Sequence, residues 1–258
     1  MSESDHILRT SKLVRISSRD RSPGSKGQYD FITNFNDSFL HNVKRVLVKA
    51  IVCPNTSYNV NEFNNELVYN AGPGDETIII TPGQHSLTDL LDELVTAFAA
   101  EAVPQTMTYS VNTRTSRITM TFTNALVLKS GDNGSTMMTL LGGSKDTDTA
   151  SQVSHLMPLT FDLTGLKKVY IGSNTLTTGT SMSSSNKQHK KIFTSIPITV
   201  PYGSIEKRTL SEYHTSDQIT HSVPFNISTI DITLYDENLN LVDLNGIDFY
   251  MVLVALKD

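Results

Sequence analysis

The chain has 258 residues, 38% of them hydrophobic, 18% charged and 7% aromatic with no Trp, and a formal net charge of −5. That length supports one large all-β domain or two ordinary ones, either burying roughly 70–75% of its unfolded surface, and its many Ser, Thr and Asn residues suit strands joined by polar turns better than a helical bundle. The negative balance excludes a surface broadly attractive to nucleic acid; no run approaches the ~18 apolar residues needed to cross a bilayer and no signal-peptide core follows the first Met, so folding in a reducing cytoplasm without membrane insertion is expected.

Residues 1–11 are polar and aperiodic and read as a flexible arm. An alternating strand follows at 12–17 and runs into Ser-Ser-Arg-Asp-Arg; between Arg9 and Lys26 six basic side chains, the others being Lys12, Arg15, Arg19 and Arg21, face one acid, Asp20. Arginine forks suit carboxylate or phosphate, so this segment is expected to contact a partner, with structural ion pairs to nearby aspartates as an equal alternative. Strands are expected at 29–35 and 43–53, the latter with Val46, Val48, Ala50 and Val52 on one face. Cys53 closes that strand as the only cysteine; it cannot form an internal disulfide and reads as a buried, inert thiol.

A strand pair at 66–70 and 76–81 precedes the one helix, about 86–101, in which Leu87, Leu90, Leu91, Leu94, Val95 and Phe98 share a face. Ser86 and Asp89 form a capping-box start and Pro104 lies just past the end. A hairpin is expected around 113–115, and Gly142-Gly143 stops a short apolar piece. The second half offers strands at 159–165, 167–173, 191–200, 226–235 and 249–256, the last apolar on both faces and so expected to sit centrally, covered on both sides by its own chain or by a neighbour. Between them, 173–186 holds nine Ser or Thr among fourteen residues and, with the basic run to Lys191, reads as an exposed loop, 173–191. Strands without βαβ alternation point to an antiparallel sandwich, and 12–258 reads as a single domain.

Chemistry is hard to find. The seven histidines are scattered, without a nucleophile elbow or paired zinc ligands. Asp236, Asn238 and Asn240 begin like a calcium loop, but Leu241 and Ile247 occupy the Gly and Glu positions, so a hairpin turn is the expectation. Asp243 and Asp248 give no sign of flanking one hydrolytic site. The sequons at Asn36, Asn55, Asn133 and Asn226 are expected to stay unmodified in the absence of a secretory route. No cofactor or metal is expected.

The order of pieces is more telling. LVRISSRDR, YDFITNF, VKRVLVKAIVCPNTSYNV, TIIITPGQHSLTDLLDELVTAF, YSVNTRTSRITMTF, TLLGG and the ending STIDITLYDENLNLVDLNGIDFYMVLVAL together resemble the penton (vertex) or minor capsid proteins of virophages, polinton-like viruses and related large double-stranded DNA viruses. The resemblance spans nearly the whole chain from Lys12 and is thin over 144–220. It implies a single jelly roll, no enzyme activity, a homopentamer at each icosahedral vertex of the virion capsid, and double-jelly-roll major capsid proteins as neighbours, with minor capsid proteins or genome on the inner side. Under it, Arg9, Lys12, Arg15, Arg19, Arg21 and Lys26 become candidate capsid or genome contacts, while Thr175, Thr177, Thr178, Lys187, His189, Lys190 and Lys191 are candidates for recognition by the outer loop. A glycan- or receptor-binding β-sandwich of a viral spike or fibre base is the alternative.

Overall fold

Side chains that alternate between core and solvent build nearly every element of this protein. The computed structural model describes residues 11–35, 40–72, 74–101, 104–177, 181–182, 189–209 and 218–257. Those residues form an all-β, jelly-roll sandwich with antiparallel strands and one inserted amphipathic helix. The chain divides into two compact units, Met1–Ser57 with Leu166–Asp258, and Tyr58–Gly165.

The first unit begins with β1 (Ser11–Ser17), β2 (Asp30–Asn34) and the long β3 (Leu40–Pro54). The second unit contains β4 (Glu66–Asn70), β5 (Asp75–Ile79), helix α1 (Leu87–Ala100), β6 (Met107–Asn112), β7 (Arg117–Leu128) and β8 (Gln152–Leu156). The chain then returns to the first unit with β9 (Lys168–Gly172), the short pair β10 (Ser181–Met182) and β11 (His189–Lys190), and β12 (Ile192–Pro197). It ends with β13 (Ile205–Thr209), β14 (Gln218–Ile227), β15 (Thr229–Tyr235) and β16 (Tyr250–Lys257).

In the first unit one sheet runs β1-β16-β3-β13, with β14 also on β3, and the other runs β12-β9-β15-β2. Their inward residues share one core, in which Ile16, Ile51, Met251 and Leu253 belong to the first sheet and Phe31, Ile171, Ile196 and Ile232 to the second. β3 departs from the simple alternation expected of it. Val252 faces Ala50 and Leu253 faces Val48, so Lys49 is an extra residue in β3. The bulge flips the phase: Val46 and Val48 point inward, but beyond it Ile51 and Cys53 do, and Ala50 and Val52 turn outward. Cys53 is fully buried, and desolvation followed by the nearby Glu206 pushes its thiol up to about 12.

The first and last described strands are tied together. β1 pairs with β16 along its whole length, and the one-turn 3-10 helix Ser18–Asp20 then locks onto the start of β16. Buried Ser18 donates its hydroxyl to Asp248 Oδ1 (3.0 Å) and accepts from the Phe249 backbone N–H (3.0 Å), while its own N–H donates to the Phe249 carbonyl (3.0 Å).

In the second unit the sheet order is β5-β4-β7-β6, with β8 also on β7. The capping box starts α1 as its sequence requires, Ser86 Oγ accepting from the Asp89 N–H at 3.2 Å and the Asp89 carboxylate accepting from the Ser86 N–H at 3.3 Å. Leu90, Leu91, Leu94 and Phe98 are buried. Phe98 lies between Tyr69 and Phe122, with centroids 5.0 and 4.9 Å away, and His155 packs edge-on against Phe122 at 5.7 Å.

Two local expectations change. Residues 159–165 are not a strand: Leu159, Phe161 and Asp162 donate their N–H groups to three separate partners, Gly142, Ser116 and Leu140, and the Asp162 side chain folds back on Thr164. Gly142 permits this, since its φ is +80° and a Cβ there would sit 2.4 Å from the Leu159 oxygen. Conversely, β8 is a strand where none was expected, because only His155 of its five residues turns inward. The expected strand at 226–235 is two strands broken at Ser228.

Two stability measurements follow. Ser18→Ala leaves a buried backbone N–H and carboxylate without their partner and should cost about 1–3 kcal/mol in denaturant unfolding; a loss as small as that of the exposed neighbour Arg19→Ala, at most ~1 kcal/mol, would refute the latch. Burial lowers the His155 pKa below its ordinary 6.5. The unfolded chain therefore takes up a proton more readily, so stability should fall as pH drops through and below 6.5, by no more than about 1.4 kcal/mol per pH unit from this group. His155→Gln should flatten that decline, and an unchanged pH profile would contradict it.

Candidate functional site

The first candidate lies on the outward face of the β1-β16-β3-β13 sheet. Outward alternation, fixed by the Lys49 bulge, aligns Leu13 with Val254 and Leu47, and Arg15 with Val252, Ala50 and Thr209. Tyr250 meets Val52 and Lys207. Most of these are apolar, yet none is buried: Leu13 is 45% exposed and Tyr250 41%, with Leu47, Val252 and Val254 half-buried. The expectation that β16 is covered on both sides, by its own chain or by a neighbour, is met by its own chain on the core side, and on the outward side its own chain covers it only in part. At one end the face continues into a hollow of about 220 Å³ among Val52, Pro54, Ile205, Ile247 and Tyr250, where Ile205 and Ile247 are 51% and 49% exposed. Exposed Arg15, Lys49 and Lys207 supply a basic fringe.

The N-terminal basic residues separate into different roles. Arg15 projects from the apolar face. Arg19 Nε lies 3.6 Å from Asp248, and Arg21 Nη1 donates to the Ser18 carbonyl at 3.0 Å. Lys26 pairs with Asp30 at 3.2 Å, Lys12 at the start of β1 is half-buried, and Arg9 lies outside the described residues. Two of the six therefore hold the chain-end latch and a third closes its own turn.

The second candidate is a polar hollow of about 390 Å³ on the outward face of the other sheet. Ile171 and Leu234 point into the core, so Tyr170, Gly172, Thr233 and Tyr235 point out, Tyr170 opposite Tyr235 and Gly172 opposite Thr233. A Cβ on Gly172 would stand 2.7 Å from Tyr235 Cε2; glycine lets the phenol ring approach β9 this closely. Lys190 Nζ sits 5.2 Å from the Tyr235 ring centroid and Lys168 Nζ 4.8 Å from that of Tyr170. His189, Lys190 and Lys191 complete one wall, and Ser173 and Asn174 the other.

Asp231 fixes the second wall. Its Oδ1 accepts from the Thr175 N–H (2.8 Å), the Thr175 hydroxyl (2.7 Å) and the Ser173 hydroxyl (3.2 Å), and its Oδ2 from the Asn174 N–H and side-chain amide (both 2.8 Å). Burial pushes this carboxyl upward, but the donors from Thr175 and Asn174 outweigh it and hold its pKa below the ordinary value. Burial is also the main reason the Tyr235 phenol is raised; Thr233 and Lys26 oppose that rise, while Asp30 and Asp231 reinforce it. Lys26 of the N-terminal segment and Lys190 of the late loop thus both act on Tyr235.

Of the residues expected in an exposed recognition loop, His189 is exposed and Lys190 and Lys191 are half-buried at the hollow. Thr175 is spent on Asp231, and Thr177 is 7% exposed, which corrects its reading as a surface contact. Thr178 and Lys187 lie outside the described residues. Sequence reading missed Gly172, Thr233 and Tyr235, because nothing short of the β9–β15 pairing brings them together.

The acidic turn is a hairpin, as its departures from the calcium pattern imply: Asp236 Oδ1 accepts from the N–H groups of Asn238 and Asn240, both at 2.8 Å, and Leu239 takes a φ of 62°. Desolvation raises the Asp236 carboxyl above its ordinary value. Asp243 accepts from the Asn245 N–H, and Asp248 belongs to the Ser18 latch. Among the described residues no three His, Cys, Asp or Glu side chains are grouped to hold a metal, and no helix is long and apolar enough to cross a membrane.

The architecture defines the class of protein, an all-β jelly-roll sandwich with a helix-bearing insertion. Among solved structures the chain is similar to the crystal structure of SeMet-labeled mavirus penton protein, with 9% sequence identity, a TM-score of 0.49, and coverage of 96% of this chain and 99% of that one. No family model matches the sequence, and no curated protein matches it.

Removing the Asp231 carboxylate tests the wall of the hollow. Asp231→Ala should cost about 1–3 kcal/mol, since several donors lose their acceptor at once. The depressed pKa means this contribution is present above the ordinary 3.8 and fades as pH falls through and below it. Equal stability of variant and parent at pH 7, by denaturant unfolding, would show the network to be idle.

Proposed function

We propose that this chain is a structural virion protein, the homopentameric penton at the icosahedral vertices of a double-stranded DNA virus capsid, seated among double-jelly-roll major capsid proteins and made in the host cytoplasm. The observation that carries the reading is the outward face of the β1-β16-β3-β13 sheet. A monomeric sandwich gains nothing from Leu13, Leu47, Val252, Val254 and Tyr250 on its solvent side, whereas contiguous apolar surface of this kind suits a permanent contact. The order of sequence pieces from Lys12 onward, which resembles vertex proteins, supplies the specific assembly.

Charge supports self-association. Tyr58–Gly165 holds 12 acidic against 4 basic residues, leaving 17 basic against 14 acidic in the other unit. One copy's basic-fringed sheet face and a neighbour's acidic unit are electrostatically complementary, which favours a heterologous contact able to close into a ring. In this reading 12–258 acts as one capsid domain preceded by the arm 1–11, and Arg9, Lys12 and Arg15 face neighbouring capsomers or genome.

Light scattering of the purified chain, alone and mixed with the major capsid protein, should reveal a species of five 28.5 kDa copies, about 142 kDa. Val254→Lys places a charge on the outward face without touching the core; it should keep the fold and weaken assembly tenfold or more, the ~1–3 kcal/mol expected for a central interface position. A monomer under every condition, or a Val254→Lys protein that assembles like the parent, refutes the reading. Arg19→Ala with Arg21→Ala should leave folding largely intact, each exposed pair contributing ~0–1 kcal/mol, and reduce incorporation into particles; full incorporation would confine both residues to the chain-end turn.

A further inference from the structure

We infer that the hollow beside Tyr235 binds an acidic saccharide, a sugar ring bearing a carboxylate or sulfate group. This inference goes beyond the vertex role and does not depend on it.

Its cations are uncommitted to carboxylates. Among the described residues neither Lys190 nor Lys191 has a carboxylate within ion-pair distance; Lys190 is held over the Tyr235 ring instead. The nearby acids are occupied, Asp30 by Lys26 and the Thr233 hydroxyl, and Asp231 by its five donors. The Lys190 ammonium, with His189 and Lys191 beside it in the lining, therefore meets a polar hollow whose acids already have partners. Such an arrangement favours an anion arriving from solvent.

Size selects the kind of anion. A space of about 390 Å³ would hold on the order of a dozen waters at ~30 Å³ each, so an inorganic sulfate leaves most of it wet, whereas a sugar carrying an acidic group occupies far more of it, and the volume falls within the range of small-molecule sites. The hollow is also preorganised: Gly172 admits the close approach of the phenol, and Asp231 pins the 173–175 turn, so a ligand meets a formed wall. The Asn174 side-chain carbonyl and the Ser173 and Thr233 hydroxyl oxygens keep lone pairs for sugar hydroxyls.

The test uses the full chain in calorimetric titration with three probes: a sulfated disaccharide, the same disaccharide without sulfate, and inorganic sulfate. The sulfated sugar should bind with a Kd at or below about 1 mM, and both other probes at least tenfold more weakly. Lys190→Gln with Lys191→Gln, side chains that support no core, should weaken the sulfated sugar tenfold or more while leaving the unfolding midpoint unchanged. Equal affinity for sulfated and unsulfated sugar, sulfate binding as tightly as the disaccharide, or a double variant that binds like the parent would each overturn the inference. Light scattering on the same samples keeps the outcome distinct from pentamer formation.

Discussion

Everything in the first unit depends on β16 being hydrogen-bonded along both edges, to β1 on one side and β3 on the other. A strand in that position pairs its backbone on both sides, and its ladder with β1 joins the first described strand to the last. Ser18 closes the arrangement by satisfying both the Asp248 side chain and the Phe249 backbone. The pairing spans most of the chain, so it cannot form until the C-terminal strand is available, and loop-closure entropy opposes it until then. Packing must supply the compensation, since the single thiol is buried and no disulfide contributes.

Much of this was legible in the sequence, for reasons that differ by element. The helix was legible because its apolar spacing and its Ser86–Asp89 cap agree, two independent signals for one structure. The interior position of β16 was legible from residues apolar on both faces. The Lys49 bulge was not: Val46, Val48, Ala50 and Val52 recur at every second position in sequence, and the extra residue is visible only against the partner strand. β8 is not legible because four of its five residues face solvent and no inward alternation sets a period, and 159–165 looks like a strand because Leu159, Phe161 and Leu163 alternate, although its backbone pairs irregularly.

The candidate sites followed the same division. A cluster of like charges is easy to see in sequence, but its purpose is set by what lies across the fold. Arg19 and Arg21 stand beside each other in sequence with Lys26, yet two are taken up by the chain-end turn and the third acts on Tyr235. Lys26 and Lys190 become neighbours of one phenol only because Asp30 pairs with Thr233 and Thr233 with Gly172 across three adjacent strands. No local pattern encodes that alignment, and Gly172 reads from sequence as an ordinary strand end.

Two sheets packed face to face leave two outward faces on opposite sides of the sandwich, and here these differ in chemistry. The outward side of β1, β16 and β3 is apolar with a basic fringe; the outward side of β9 and β15 carries Lys168 on Tyr170, Lys190 on Tyr235 and the polar hollow. A contact that buries the first side removes no residue of the second. The division follows from the Lys49 bulge: without the phase change, Ile51 and Cys53 would turn outward, Ala50 and Val52 inward, and the core would lose its fit to Met251. One extra residue in β3 thus keeps the core filled while directing small and β-branched side chains to the outward face, leaving the other sheet free to hold charge.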